Sequence, residues 1–129
     1  MLLHQLIETT AADAGEAIAL AKGETLLDYA SLWSLVLRLA RGFQGLGLKR
    51  HDRVAVYLPK SIEGVTAMFA ANAAGGAFVP VNPVLKPAQV AHIVADCRPR
   101  VLVTSRDRWR LVGPALGDAR ADLRVVLVD

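Results

Sequence analysis

The chain has 129 residues, 15 lysines and arginines against 12 aspartates and glutamates, and a single cysteine. That length supports one domain with a real core; one cysteine excludes an internal disulfide, and a formal charge of +3 is too mild to demand a polyanionic partner. The hydrophobic fraction of 53% and mean hydropathy of +0.36 are high, which suits strands buried on both faces or surface made to lie against further protein.

The opening "MLLHQLIETTAADAGE" has no basic lead and carries Glu8 and Asp13, so it does not read as a signal peptide. No apolar run approaches the roughly 20 residues that span a bilayer. The expectation is a cytoplasmic protein in a reducing compartment. Two short apolar runs, "AIALA" (17–21) and "TLLDY" (25–29), follow the first helix. From Tyr29 to Leu46 the apolar residues Leu32, Leu35, Val36, Leu39, Phe43 and Leu46 form one stripe of an amphipathic helix, with Arg38, Arg41 and Gln44 off it. Gly45 or Gly47 can take the left-handed conformation that ends such a helix.

"RVAVYLP" (53–59) reads as a strand, β-branched and apolar on both faces. Ser61 is placed to cap the next helix, with Glu63 in its first turn; that helix, running to Ala74, is apolar nearly all round and predicts deep burial. In "AAGGAFVPVNP" (73–83) Gly75 closes the helix and Gly76 gives a bend without a side chain to clash. Pro80 cannot donate to a ladder, so the strand it lies in is predicted at an edge, or Pro80 at an end or bulge. Asn82-Pro83 turns the chain, and Pro87 opens a helix whose apolar stripe is Val90, Ile93, Val94 and Cys97, with Gln89, His92 and Asp96 pointing away. "RVLVTS" (100–105) and "LRVVLVD" (123–129) are two more strands. Trp109, Val112 and Leu116 between them predict a helix disturbed at Gly113-Pro114. The alternation of strand and helix implies an α/β fold, a mainly parallel sheet with helices on both faces, in one unit over 1–129.

The chemistry-bearing residues are sparse. Gly45-Leu46-Gly47 lies between a helix and a strand, the wrong context for a dinucleotide loop, and no phosphate loop of the G-x-x-x-x-G-K-[ST] kind exists. Lys60 stands at a strand's end and a helix's start, where an anion could sit, but a solvated turn lysine is the stronger reading. His4, His51 and His92 are scattered without ligand spacing. His92, Asp96 and Cys97 are close in sequence, yet Cys97 belongs to the apolar stripe and the other two do not, so they read as core and surface rather than a metal site. Ser61 and Ser105 lie in no nucleophile elbow. Arg98, Arg100, Arg106, Arg108 and Arg110 straddle a strand with only Trp109 as an aromatic neighbour, a solvated face rather than a nucleic-acid reader. No catalytic, cofactor-binding or metal-binding residue is assigned.

The stretch from "TLLDYASLWS" to "FVPVNP" resembles the opening of AMP-forming adenylate-forming enzymes: acyl-CoA synthetases, luciferases and peptide-synthetase adenylation domains. Leu27, Tyr29 and Leu32 match that family's early strand-to-helix motif. Gly47 with Asp52-Arg53-Val54-Ala55 matches its glycine, turn and first strand; Ala74-Gly75 through Val79-Pro80 to Pro83 matches its Ala-Gly…Val-Pro…Pro motif. "GGAFVPVNPVLKPAQVAHIVADCRPRVLVTS" most resembles acyl-CoA ligases found with bacterial exosortase and exopolysaccharide systems. The resemblance implies a Rossmann-like N-terminal subdomain and, in full-length members, joining of a carboxylic acid to coenzyme A through an acyl-adenylate, using Mg and ATP. The Ser/Thr/Gly loop followed by Pro-Lys, the Thr-Glu pair, the ribose-binding Asp and the catalytic Lys of such enzymes match nothing in these 129 residues. The expectation is therefore a truncated N-terminal fragment, inactive alone, needing no cofactor itself and self-associating through exposed apolar surface. Ending on the strand "LRVVLVD" adds to that expectation. The alternative is a non-enzymatic α/β binding module that keeps the scaffold alone.

Overall fold

The computed structural model describes all of residues 1–129. Helix α1 (Gln5–Ala14) leads into an antiparallel hairpin of β1 (Ile18–Lys22) and β2 (Thr25–Asp28). Lys22 pairs with Thr25 across the turn, where Gly23 takes φ +59, a conformation that costs glycine little. The two apolar runs at 17–29 thus belong to a small sheet of their own. Asp28 ends the hairpin and caps α2 (Tyr29–Gly45), its carboxylate accepting from the Ser31 N–H at 2.7 Å. The predicted stripe is buried at Leu32, Val36 and Phe43, joined by Ala40, whereas Leu35 and Leu39 are half-buried and Leu46 is exposed. Gly47, at φ +92, turns the chain away from α2. At the molecule's start, His4 stacks on Trp33 with ring centroids 6.2 Å apart, and its Nδ1 lies 3.1 Å from Asn72 Oδ1, which ties α1 to the rest.

The main sheet is built from β3 (Arg53–Tyr57), β4 (Ala77–Pro80), β5 (Val101–Thr104) and β6 (Arg124–Leu127), joined by α3 (Ile62–Ala73), α4 (Pro87–Cys97) and α5 (Arg106–Val112) with a 3-10 helix over Gly113–Arg120. Its order is β4-β3-β5-β6 and every pairing is parallel. Alternation along β3 and β5 divides the core. Val54, Val56, Val101 and Val103 pack with Leu32, Val36, Phe43 and Ala67 under α2 and α3, while Ala55, Tyr57 and Leu102 pack with Val90, Val94 and Val112 under α4 and α5. Helices therefore cover both faces, as the period-2 strands and continuous apolar runs require. Pro80 is the last residue of an edge strand, where its missing donor is harmless.

Two expectations are only partly met. Helix α3 buries Thr66, Ala67, Ala70 and Ala71, but Ile62, Val65, Met68 and Phe69 are half-exposed; it packs on α2 and the sheet, and its remaining face is only partly covered. On α4, Val90 and Val94 are buried whereas Ile93 and Cys97 are half-exposed, because the cysteine lies in the last turn, at the periphery of the sheet. The helix predicted around Trp109 to Leu116 breaks where Gly113 stands, and the chain continues as 3-10 helix.

Candidate functional site

In open parallel sheets, ligands bind outside the carboxyl ends of the strands, where neighbouring connections leave in opposite directions. Here that point lies between β3 and β5. From β3 the chain passes through α3 on one face to β4; from β5 it passes through α5 on the other face to β6. Thr104, fully buried at the end of β5, donates its hydroxyl to the Tyr57 carbonyl at 2.7 Å and clips the two strand ends together. Tyr57 in turn donates its phenol to the Leu85 carbonyl at 2.8 Å. Arg108 lies over the Tyr57 ring at 4.7 Å and donates to the Pro83 carbonyl at 2.8 Å. These bonds fix the turn after β4 against the ends of β3 and β5. Sequence reasoning missed this network; the terminal Thr of an otherwise apolar strand was its one visible signal.

Beside it, a cleft of about 770 Å³ opens between the β3–α3 and β4–α4 turns, lined among others by Lys60, Ser61, Met68, Phe78, Pro80 and Asn82. Lys60 is exposed, while Lys22 of the hairpin donates to its carbonyl at 3.2 Å. The Ser61 hydroxyl accepts from the Gly64 N–H at 3.0 Å and so is engaged as the cap of α3. Ser105 caps α5 in the same manner, accepting from the Arg108 N–H at 3.4 Å. The cleft can receive a flat or apolar group with an anionic end at Lys60. No histidine or carboxylate lines it, and its one serine hydroxyl is taken up by the Gly64 N–H.

The remaining sequence candidates do not converge. No group of three or more His, Cys, Asp or Glu side chains is placed to hold a metal ion; His92 and Asp96 are exposed on α4. Burial pushes the Cys97 thiol above its usual value, against the pull of the nearby Arg53 guanidinium, so the thiol is protonated at neutral pH and is a poor ligand or nucleophile. These residues thus bring together no carboxylate or imidazole set that could hold a metal ion.

On the other flank of α3, over the same face of the sheet, a second, apolar groove of about 510 Å³ runs between α2, the start of α3 and β6, with Leu35, Leu39, Val126 and Val128 on its walls.

Residues 7–129 match the family of AMP-binding enzymes. The chain belongs to that family. Among curated relatives, it is 37% identical over 129 residues to the probable nonribosomal peptide synthetase CymA of Salinispora arenicola (strain CNS-205), covering 98% of this chain and 2% of that protein. It is 36% identical over 118 residues to Protein Y of Streptomyces griseus, covering 88% and 38%. The crystal structure of the anthranilate CoA ligase AuaEII in complex with anthranoyl-AMP superposes with a TM-score of 0.92 at 22% identity, over 99% of this chain and 25% of that one. VinN superposes at 0.86 with 26% identity, over 100% and 32%. This AMP-binding enzyme chain thus spans a minor part of the length of the proteins it matches, and its fold is that of the N-terminal subdomain of adenylate-forming enzymes. No membrane-crossing helix is present: none is long and apolar enough.

Within that fold, the motifs that carry the resemblance are structural. Asp28–Tyr29 turns the hairpin into α2. Asp52 Oδ2 accepts from the Lys49 N–H at 2.8 Å and shapes the turn into β3. Gly75, at φ +89, lets its carbonyl accept from the His51 N–H at 2.8 Å, which sets β4 beside β3.

Proposed function

We infer that these 129 residues are the N-terminal scaffold of an AMP-forming acyl-CoA ligase, one that activates a carboxylic acid with Mg-ATP and passes the acyl group to coenzyme A. On this reading it resembles the ligases that accompany bacterial exosortase and exopolysaccharide systems and works in the cytoplasm. The observation that carries the reading is the superposition, over nearly the whole chain, on a CoA ligase that holds an acyl-adenylate, together with a carboxyl-end cleft that has a binding surface but no reactive pair. On this account β3 to β6 supply rigid strand ends and one wall, and the catalytic groups are carried by residues other than these 129.

Adenylation for peptide synthesis is the second reading, and the curated relatives favour it: CymA and syringomycin synthase SyrB1 of Pseudomonas syringae pv. syringae, 35% identical over 94 residues, covering 73% of this chain and 15% of that protein, are named as synthetases or synthases. The test is to express the complete reading frame and supply ATP, magnesium, a panel of fatty, aryl and amino acids, and coenzyme A. AMP and acyl-CoA formed together support the ligase. Acyl transfer only to a carrier-protein thiol replaces it with the second reading.

A further inference from the structure

Of the five arginines that straddle β5, three are engaged in the fold. Arg106 binds Asp129, its N–H donating to Oδ1 at 2.7 Å and its guanidinium to the carbonyl at 3.2 Å. Arg108 holds Tyr57 and Pro83 as described, and Arg110 pairs with Asp107 at 3.5 Å. Arg98 and Arg100 are different. Neither takes part in an ion pair, and the Nε of Arg100 is buried without an acceptor, alone among buried side-chain polar atoms in the chain. The guanidinium of Arg100 thus keeps donors that no group of the fold accepts from.

Both arginines line a cleft of about 360 Å³ at the amino-terminal pole of the sheet, away from the strand ends that bear the carboxyl-end cleft. Its walls are Gly47, Lys49, Asp52, Arg98, Pro99, Arg100 and Asp122, five of the seven charged. Three elements of the fold build it. Arg98 leaves α4 in the left-handed conformation, φ +45. Arg100 is seated by the Arg53 carbonyl, which accepts its N–H at 2.8 Å at the mouth of the β3–β5 ladder. Gly47 gives the guanidinium room, because a Cβ there would stand 2.9 Å from Arg100 Nη2. The carboxylate of Asp52 is already turned to the Lys49 N–H. Lys49, Arg98 and Arg100 against Asp52 and Asp122 leave one net positive charge on the walls. That balance, the small volume and the lack of any stacking surface exclude a nucleic acid strand and fit one compact anion.

We propose that this cleft binds a single oxyanion, a phosphate or a carboxylate, with Arg100 as its central donor and Arg98 and Lys49 beside it. Planar guanidinium donors suit both groups, which share the paired oxygens that such a fork recognises. The site stands independently of the ligase reading, since none of its residues lines the carboxyl-end cleft.

Titration calorimetry of the chain with inorganic phosphate, and in a second arm with acetate, tests it at low ionic strength. Saturable one-site binding of either anion is expected, weakened at least tenfold by Arg100→Gln and by Arg98→Gln and unchanged by Arg41→Gln, an exposed position on α2 outside the cleft's walls. Arg98 is exposed, so its variant keeps the test valid even where Arg100→Gln disturbs folding, which circular dichroism reports. Absence of binding by both anions overturns the proposal, because water then suffices for Arg100. Binding that survives both arginine changes, or that is lost with Arg41→Gln instead, overturns it as well.

Discussion

The two glycines at 75 and 76 look interchangeable in sequence, but alanine should affect them by different mechanisms and to different extents. A Cβ on Gly75 would meet only Arg50 Cα at 3.8 Å, ordinary van der Waals distance. The penalty there is conformational: φ is +89, and a left-handed backbone costs an L-residue about 1–2 kcal/mol. A Cβ on Gly76 would stand 2.7 Å from the Asp52 carbonyl oxygen, 3.2 Å from Leu48 Cδ2 and 3.3 Å from the Ala71 carbonyl oxygen. Neither oxygen is free to retreat. Asp52 O accepts from the Ala77 N–H at 2.8 Å and Ala71 O from Gly76 itself at 2.9 Å. Relief therefore combines overpacking strain of about 1–3 kcal/mol with a weakened hydrogen bond of about 1 kcal/mol. Urea unfolding followed by circular dichroism at micromolar concentration should rank the parent first, then Gly75→Asn, Gly75→Ala and Gly76→Ala. Asparagine relieves position 75 because it tolerates the left-handed region, and it gives no relief at 76. For a chain of this size each kcal/mol moves the melting temperature by about 4 °C. A Gly76→Ala variant as stable as Gly75→Ala would refute the reasoning.

Three further outcomes follow from other parts of the chain. Thr104→Val keeps the volume but removes the 2.7 Å bond to the Tyr57 carbonyl, so it should lower unfolding stability by about 1–2 kcal/mol; a change below about 0.3 kcal/mol would show that the clip is dispensable. The side-chain hydrogen bond with Ser31, then its backbone N–H, hold the Asp28 carboxyl below its ordinary 3.8. A depressed native value means that the stabilisation is present above about pH 4 and is lost as the pH falls through the native value. Asp28→Asn should flatten that acid limb in pH-dependent unfolding, and an unchanged limb would contradict the cap. The chain by itself should bind an apolar dye and sediment as more than 13.8 kDa, because Leu127 and Val128 are exposed on the open edge at β6, next to the apolar groove. Leu127→Lys should reduce both signals, and a dye-silent monomer would sink the expectation.

Most of the fold was legible because it is written in strong local signals. The stripe from Leu32 to Phe43 fixes the buried face of α2, the Ser61 cap fixes the start of α3, and Pro80 marks the end of an edge strand. What could not be read is set by distant pairing. Nothing near "AIALA" and "TLLDY" says that they pair with each other rather than join the main sheet. The half-exposed face of α3 is as apolar as its buried one, so periodicity could not tell which side lacks a neighbour. The site was less legible still. Thr104, Tyr57 and Arg108 meet only because β5 lies beside β3, although 47 residues separate Tyr57 from Thr104. Arg98 and Arg100 stood in the same run as three arginines of purely structural use, and only the three-dimensional partners of each separate the two groups.

We propose that these residues form the scaffold of an adenylate-forming enzyme and hold none of its reactive groups. Catalysis of adenylation rests on donors positioned around the transferring phosphoryl group, and a site without them loses most of the rate. Carboxylate-dependent exchange of pyrophosphate into ATP, measured on the purified 129-residue chain with fatty, aryl and amino acids, tests the claim most directly. The account predicts exchange no greater than the enzyme-free blank for every acid. Exchange above the blank that depends on any one of them would contradict it.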